Sequence, residues 1–241
     1  MGYDIKNTPP VKINSSDING YLVEGDVILD NDQIYQSKNN FTKQRRAANL
    51  ISCKNVGSIR VRIDLPSTAS LQLAYDNSPN LRNLNLLNSA KQIRAQLQKA
   101  IQIWNKSSNV NMRIVTGKTD MIVRFQTGNS SARSAGRANP PKNGKPGRIV
   151  EINPFFGGTD SGRPESKATR STLIHEIGHA LGLNHTNLKR GSLISGTPNK
   201  DFNSIMHSDP DIFHLKIVSL SNGDKKAIKK LYGPTKNRLC K

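Results

Sequence analysis

HEIGHALGLNH, residues 175–185, decides how the rest of the chain is read. His175 and His179 stand four positions apart, about one helical turn, so on a helix both imidazoles project from one face. Glu176 lies beside the first of them. Gly182 tolerates positive φ, so the chain can turn sharply there and carry His185 back toward the pair. Three neutral imidazoles with a fourth position open are the ligand set of a catalytic zinc. Zinc lowers the pKa of a bound water to about 7, and a nearby carboxylate can take its proton as it attacks a carbonyl. Glu176 is the acid placed for that work. A bare HExxH is a weak signal. Here three of the chain's five histidines fall in HExxHxxGxxH, with the glycine at the hinge.

Outward from this motif the pattern stays helical back to Ser166, with Leu173, Ile174, Ile177 and Leu181 as an apolar face and Gly182 as the stop. A last helix is expected at SNGDKKAIKKLYG, capped by Ser221 or Asn222 and ended by Gly233 and Pro234. The clearest amphipathic helix is LNLLNSAKQIRAQLQKAIQIWNKSS. In it Leu86, Ile93, Leu97, Ala100, Ile101 and Trp104 recur at three- and four-residue spacing, and Asn88 or Ser89 is the expected cap. SIRVRIDL, VNMRIV, DMIVRFQTG and RIVEINPFF read as strands. RIVEINPFF is either a plain core strand or an edge strand onto which an extended peptide adds. YLVEGDVILD, residues 21–30, reads as one strand-like piece that holds two acids, Glu24 and Asp26.

The 241 residues suffice for one good-sized core, or for one domain with an appended segment. No apolar run approaches the roughly 20 residues of a membrane helix. MGYDIKNTPP has no signal-peptide core, which fits a cytosolic protein or a chain that begins after a removed signal. Net charge is +19, unevenly placed: residues 1–46 hold six acids and six bases, residues 47–241 hold 11 acids and 30 bases. Such a surface attracts anionic partners, although scattered charge by itself argues for solubility rather than for a function. Cys53 and Cys240 form no CxxC pattern, which excludes a thiolate zinc cluster. They suit one disulfide, as in an exported protein, or two free thiols. Arg45 and Arg46 make a dibasic pair that is either a protease nick site or ordinary surface charge.

HEIGHALGLNH followed by NSIMHS, residues 203–208, resembles the metzincin metallopeptidases, whose signature is HExxHxxGxxH and a methionine turn. The resemblance implies an α+β fold: a metzincin-like catalytic domain with a mixed, mostly parallel sheet, a zinc-site helix and a C-terminal helix. It implies Zn2+ on His175, His179 and His185, Glu176 as the catalytic acid and base, and Met206 as an apolar floor. His207 then has no ligand role, and His214 has none assigned. Thr186 after the third histidine is matrixin-like. SIMHS, and SAGR at Ser134–Arg137 (or the longer stretch from Ser131), are astacin-like. The chain departs from astacins at Thr186, where they carry Glu, and at Ser208, where they carry Tyr.

The same resemblance divides the chain into an inhibitory pro-segment, residues 1–46, and a catalytic domain, residues 47–241, with activation between Arg46 and Ala47. VEGD at 23–26 resembles the astacin FxGD latch, with Val23 in the aromatic position. Asp26 would then be the fourth zinc ligand in the latent form. A cysteine switch through Cys53, or no blocking residue at all, are the alternatives. A Cys53–Cys240 disulfide would tie down the chain end, as in astacins. The implied protein is a secreted, latent zinc endopeptidase whose partners are protein or peptide substrates and an activating protease, with anionic surfaces as a further expectation. Two other classes remain: a metal-binding module without catalysis, for which Glu176→Gln changes nothing, and a polyanion binder, whose salt-dependent binding survives zinc removal.

Overall fold

The computed structural model describes residues 10–12, 19–23, 26–30, 49–65, 86–125, 135–153, 166–186, 194–197, 201, 203–208, 217–234 and 240. In chain order the strands are β1 (Pro10–Lys12), β2 (Asn19–Val23), β3 (Val27–Asp30), β4 (Ile59–Asp64), β5 (Met112–Ile114), β6 (Met121–Phe125), β7 (Gly136–Ala138) and β8 (Ile149–Ile152). The helices are α1 (Cys53–Val56), α2 (Leu86–Asn105), α3 (Ser166–Ala180) and α4 (Asn222–Tyr232). No described helix is long and apolar enough to cross a membrane.

The strands form one sheet in the order β1-β2-β3-β7-β8-β6-β4-β5. Pairs β5–β4, β4–β6, β6–β8 and β3–β7 are parallel, while β7–β8 and the β1-β2-β3 meander are antiparallel. The fold is thus α+β with a mixed, mostly parallel sheet. MIVRF in β6 and IVEI in β8 are nearly continuous apolar runs because both are interior strands, covered on two faces. On one face, Val61, Val123, Val150 and Ile152 share a core with Ile93, Leu97, Ala100 and Trp104 of α2 and Leu173, Ile174 and Ile177 of α3. The Trp104 indole N–H donates to the Ile174 carbonyl at 3.1 Å, which fixes α2 against the zinc-motif helix.

Two expectations are corrected and one alternative is decided. YLVEGDVILD is not one strand: β2 ends at Val23, β3 starts at Val27, and Asp26 stands in the turn between them. Of the two readings of RIVEINPFF the plain core strand is the one found and the edge strand falls, because β8 lies between β7 and β6. Its early apolar run reflects burial on both faces, and the side of β7 that would otherwise be open is paired with β3. Helix α2 starts at Leu86, so Asn88 and Ser89 lie inside its first turn rather than before it.

The C-terminal helix follows its sequence signals. Ser221 caps α4, its side chain accepting from the Asp224 N–H at 3.0 Å while Asp224 accepts from the Ser221 N–H at 2.9 Å, a reciprocal capping box. Ala227, Ile228, Leu231 and Tyr232 form its buried face. The Tyr232 hydroxyl donates to the Leu181 carbonyl at 2.7 Å and accepts from the Ile51 N–H at 3.1 Å, joining α4 to the end of the zinc motif and to the segment before α1. Burial pushes that phenol well above its ordinary range.

Candidate metal centre

Helix α3 carries His175 and His179 on one face, and the chain leaves it through Gly182 at φ +92°, a conformation that favours glycine. The reversal brings His185 against the other two: ring centroids stand 4.7 Å (175–179), 5.2 Å (175–185) and 4.8 Å (179–185) apart. All three imidazoles are buried. The Nε2 atoms converge, at 3.0 Å between His179 and His175 and 3.2 Å between His175 and His185. Asp26 arrives from the N-terminal turn, its Oδ2 at 2.9, 3.2 and 3.6 Å from Nε2 of His185, His175 and His179.

The opposite ring nitrogens fix the tautomers. His175 Nδ1 faces the Ile205 carbonyl at 2.6 Å, and His179 Nδ1 faces the Leu183 carbonyl at 2.8 Å. A carbonyl only accepts, so both Nδ1 atoms carry hydrogen, and both Nε2 atoms in the neutral rings present lone pairs. Two lone pairs at 3.0 Å, with a carboxylate beside them, repel one another unless a cation lies between. Ligands about 2.0–2.1 Å from a tetrahedral zinc are about 3.3 Å from each other, which matches the observed 2.9–3.6 Å. The four ligand atoms therefore fit zinc in both donor type and spacing. Among the described residues they form the one group of this kind, and His207 is not part of it.

Electrostatics follow the burial. Desolvation lowers His175 to about 4, against the raising effect of Asp26, which keeps the ring neutral as a metal ligand requires. Glu176 goes the other way: burial, then the nearby Asp26, raise it well above the usual carboxylate range. Neither Glu176 carboxyl oxygen has a hydrogen-bond partner among the described residues.

Met206 packs against Gly178, the residue before His179. A Cβ built on Gly178 would meet Met206 Sδ at 2.3 Å and Trp104 Cζ2 at 3.2 Å, so the motif's first glycine is the slot that admits the methionine. The Thr186 N–H donates to the Met206 carbonyl at 2.9 Å, tying the turn to the residue after His185.

The family profile described as dual-action HEIGH metallo-peptidase matches residues 22–203. The chain belongs to this family. Among curated proteins, this HEIGH metallo-peptidase is 30% identical to the macrophage metalloelastase of Oryctolagus cuniculus over 146 residues, 57% of this chain and 28% of that protein. It is 24% identical to the interstitial collagenase of Sus scrofa over 161 residues, 62% of this chain and 30% of that protein. The chain thus spans less than a third of the length of these relatives. Two solved structures of myroilysin align with it: one at TM-score 0.45 and 15% identity over 76% of this chain and 85% of that one, the other at 0.42 and 18% over 81% and 87%.

Cys53 is not at the metal. Its sulfur is bonded to Cys240, with Cα atoms 5.2 Å apart, so it offers no thiolate to zinc. Arg46, Ala47, Ser131, Ser134 and His214 lie outside the described residues. The sequence reading missed two polar groups. Asp224 ties the methionine turn to α4 through Ser204 Oγ–H at 2.5 Å and Ile205 N–H at 2.9 Å, and its signal was present as S-x-x-D at 221–224. On the sheet face away from α3, Glu151 of β8 lies in register with Arg124 of β6 and Arg137 of β7 and pairs with both. Glu151 and Arg137 are fully buried. That ladder holds β7 to the sheet, and no local motif announces it.

Proposed function

We propose that the protein is a zinc-dependent, metzincin-type endopeptidase described in a latent form, with residues 1–46 as an inhibitory segment in the manner of astacins. The observation that carries this reading is the convergence of Asp26 Oδ2 on three imidazole Nε2 atoms, two of which, on His175 and His179, present lone pairs because the ring hydrogens are held at Nδ1. His175, His179 and His185 would hold the zinc, which when bound polarises a scissile carbonyl and acidifies a water. Glu176, raised in pKa and with both oxygens unpartnered among the described residues, accepts a proton from that water at a carboxylate oxygen. It later returns the proton to the departing amine.

Asp26 blocks twice. Its carboxylate takes the position the water needs, and its backbone carbonyl accepts from the Ala138 N–H at 2.8 Å, occupying the β7 edge. Ile28 continues along that edge, its carbonyl accepting from Asn139 Nδ2 at 3.0 Å. An extended peptide substrate would use the same edge once the segment leaves. The family match begins at residue 22, ahead of Asp26, which supports treating this turn as part of the enzyme's design. The Cys53–Cys240 disulfide supports an exported protein. Arg46–Ala47 remains the proposed activation point, and the basic excess of residues 47–241 favours anionic partners.

The test is cleavage of a quenched-fluorescent peptide library by the intact zinc-loaded chain. Asp26→Ala should be active at least tenfold above wild type without prior processing. Glu176→Gln in the Asp26→Ala background should lose about 10²–10⁴-fold while keeping one zinc per chain. Equal activity of wild type and Asp26→Ala would sink the latch. Unchanged activity in Glu176→Gln would sink the catalytic assignment and leave a metal-binding module.

A further inference from the structure

The methionine turn is joined to the metal centre by a line of hydrogen bonds in which every donor points toward one buried carboxylate. His175 Nδ1–H donates to the Ile205 carbonyl at 2.6 Å. The N–H of the same peptide unit, that of Met206, donates to Ser204 Oγ at 2.9 Å. Ser204 Oγ–H donates to Asp224 Oδ1 at 2.5 Å. Asp224 is 2% exposed and stands in the first turn of α4. Its other oxygen is fixed by the N–H groups of Ile205 and Ser221, both at 2.9 Å.

The direction of this line matters. Negative charge on Asp224 makes Ser204 Oγ a better acceptor, which polarises the Met206 N–H and enriches its carbonyl partner at Ile205. A stronger acceptor there draws on His175 Nδ1–H and raises electron density at Nε2. Chains of bonds aligned this way reinforce one another. Partners behind a metal ligand fix its ring and raise its basicity, and their loss typically lowers metal affinity about 10–100-fold.

We propose that Asp224, acting through Ser204 and the Ile205–Met206 peptide, is a positioning residue that holds His175 in its ligating tautomer and strengthens its grip on the metal. This rests on the zinc reading of the histidine cluster. It gives α4 a part in the site although none of its residues touches the histidines in the described contacts.

The test uses the intact chain stripped of metal and titrated with Zn2+ against a competing chelator, with Co2+ substitution as a spectral readout. Ser204→Ala breaks the middle of the line while leaving the bonds of Asp224 to Ile205 and Ser221, and so the α4 cap, in place. It should raise the zinc Kd about tenfold and shift the cobalt visible bands, and Ser204→Thr should restore both. Asp224→Asn should weaken zinc to a similar degree, with the double variant no worse than either single. Should Asp224→Asn fail to fold, Ser204→Ala and its rescue carry the test. A Ser204→Ala chain that loses Tm yet keeps wild-type zinc Kd and cobalt spectrum overturns the proposal, as do losses that multiply in the double variant. A wild-type chain that binds no zinc overturns the metal reading itself.

Discussion

Gly178→Ala should change sign as a mutation when Met206 is shortened. In the wild-type background the new Cβ lies 2.3 Å from Met206 Sδ and 3.2 Å from Trp104 Cζ2. The thioether must leave its place in a packed core, a strain of about 1–3 kcal/mol. Against this, alanine in a helix interior is favoured over glycine by about 0.5–1 kcal/mol. The net expectation is destabilisation of up to about 2 kcal/mol. Met206→Ala by itself costs about 2–5 kcal/mol because Met206 is fully buried. In that background the sulfur is gone and only the Trp104 edge must give by a few tenths of an ångström, so Gly178→Ala should become neutral or stabilising. Urea unfolding of the four chains, with slopes that agree, gives the coupling directly as about 1–3 kcal/mol. An equal loss from Gly178→Ala in both backgrounds would refute the slot argument, and so would a gain in the wild-type background. The same cycle followed by zinc content would show how far the displaced methionine disturbs the histidines.

Two further outcomes are expected beyond those attached to the latch and to the serine relay. Tyr232→Phe leaves the Ile51 N–H and the Leu181 carbonyl without their buried partner. It should lower stability by about 1–3 kcal/mol, read as a drop in Tm at constant zinc, and no change in Tm would contradict the clamp. Arg60 holds Asp120 below its ordinary pKa, chiefly through the side-chain hydrogen bond to its carboxylate. A depressed folded pKa means stability that is present above the unfolded value of about 3.9 and lost as pH falls through the folded one. The stability gap between wild type and Asp120→Asn in urea should therefore be larger at pH 6 than at pH 3. A gap that grows toward pH 3 would reverse the assignment.

Much of the centre could be read from the residues because its signals are local. Histidines at four-residue spacing need only a helix, and Gly182 needs only a turn that other residues resist. The capping of α4 by Ser221 is equally local. What escaped notice depends on distance. Asp26 could be singled out, but its turn comes from β2 and β3 pairing antiparallel on either side of it, and its place at the sheet edge comes from β3 pairing with β7 far along the chain. The place of β8 at the middle of the sheet follows from β3 and β7 arriving on its outer side, which an apolar run cannot announce. Asp224 went unread although S-x-x-D at 221–224 carries a local cap signal, and its bonds to Ser204 and Ile205 required the folded methionine turn. Glu151 between two arginines follows only from strand register.

The bond between Cys53 and Cys240 closes a covalent ring of 187-residue separation. Closing a loop of that size restricts the unfolded chain by about 5 kcal/mol in entropy terms. Its topological effect is more selective. A single cut inside the ring leaves both pieces covalently attached. A cut between β3 and Cys53 frees everything before it, because β1, β2, β3 and Asp26 all lie outside the ring. Among the described residues, the three strands and the carboxylate that lie against the histidines are thus joined to the ring by a single stretch of chain.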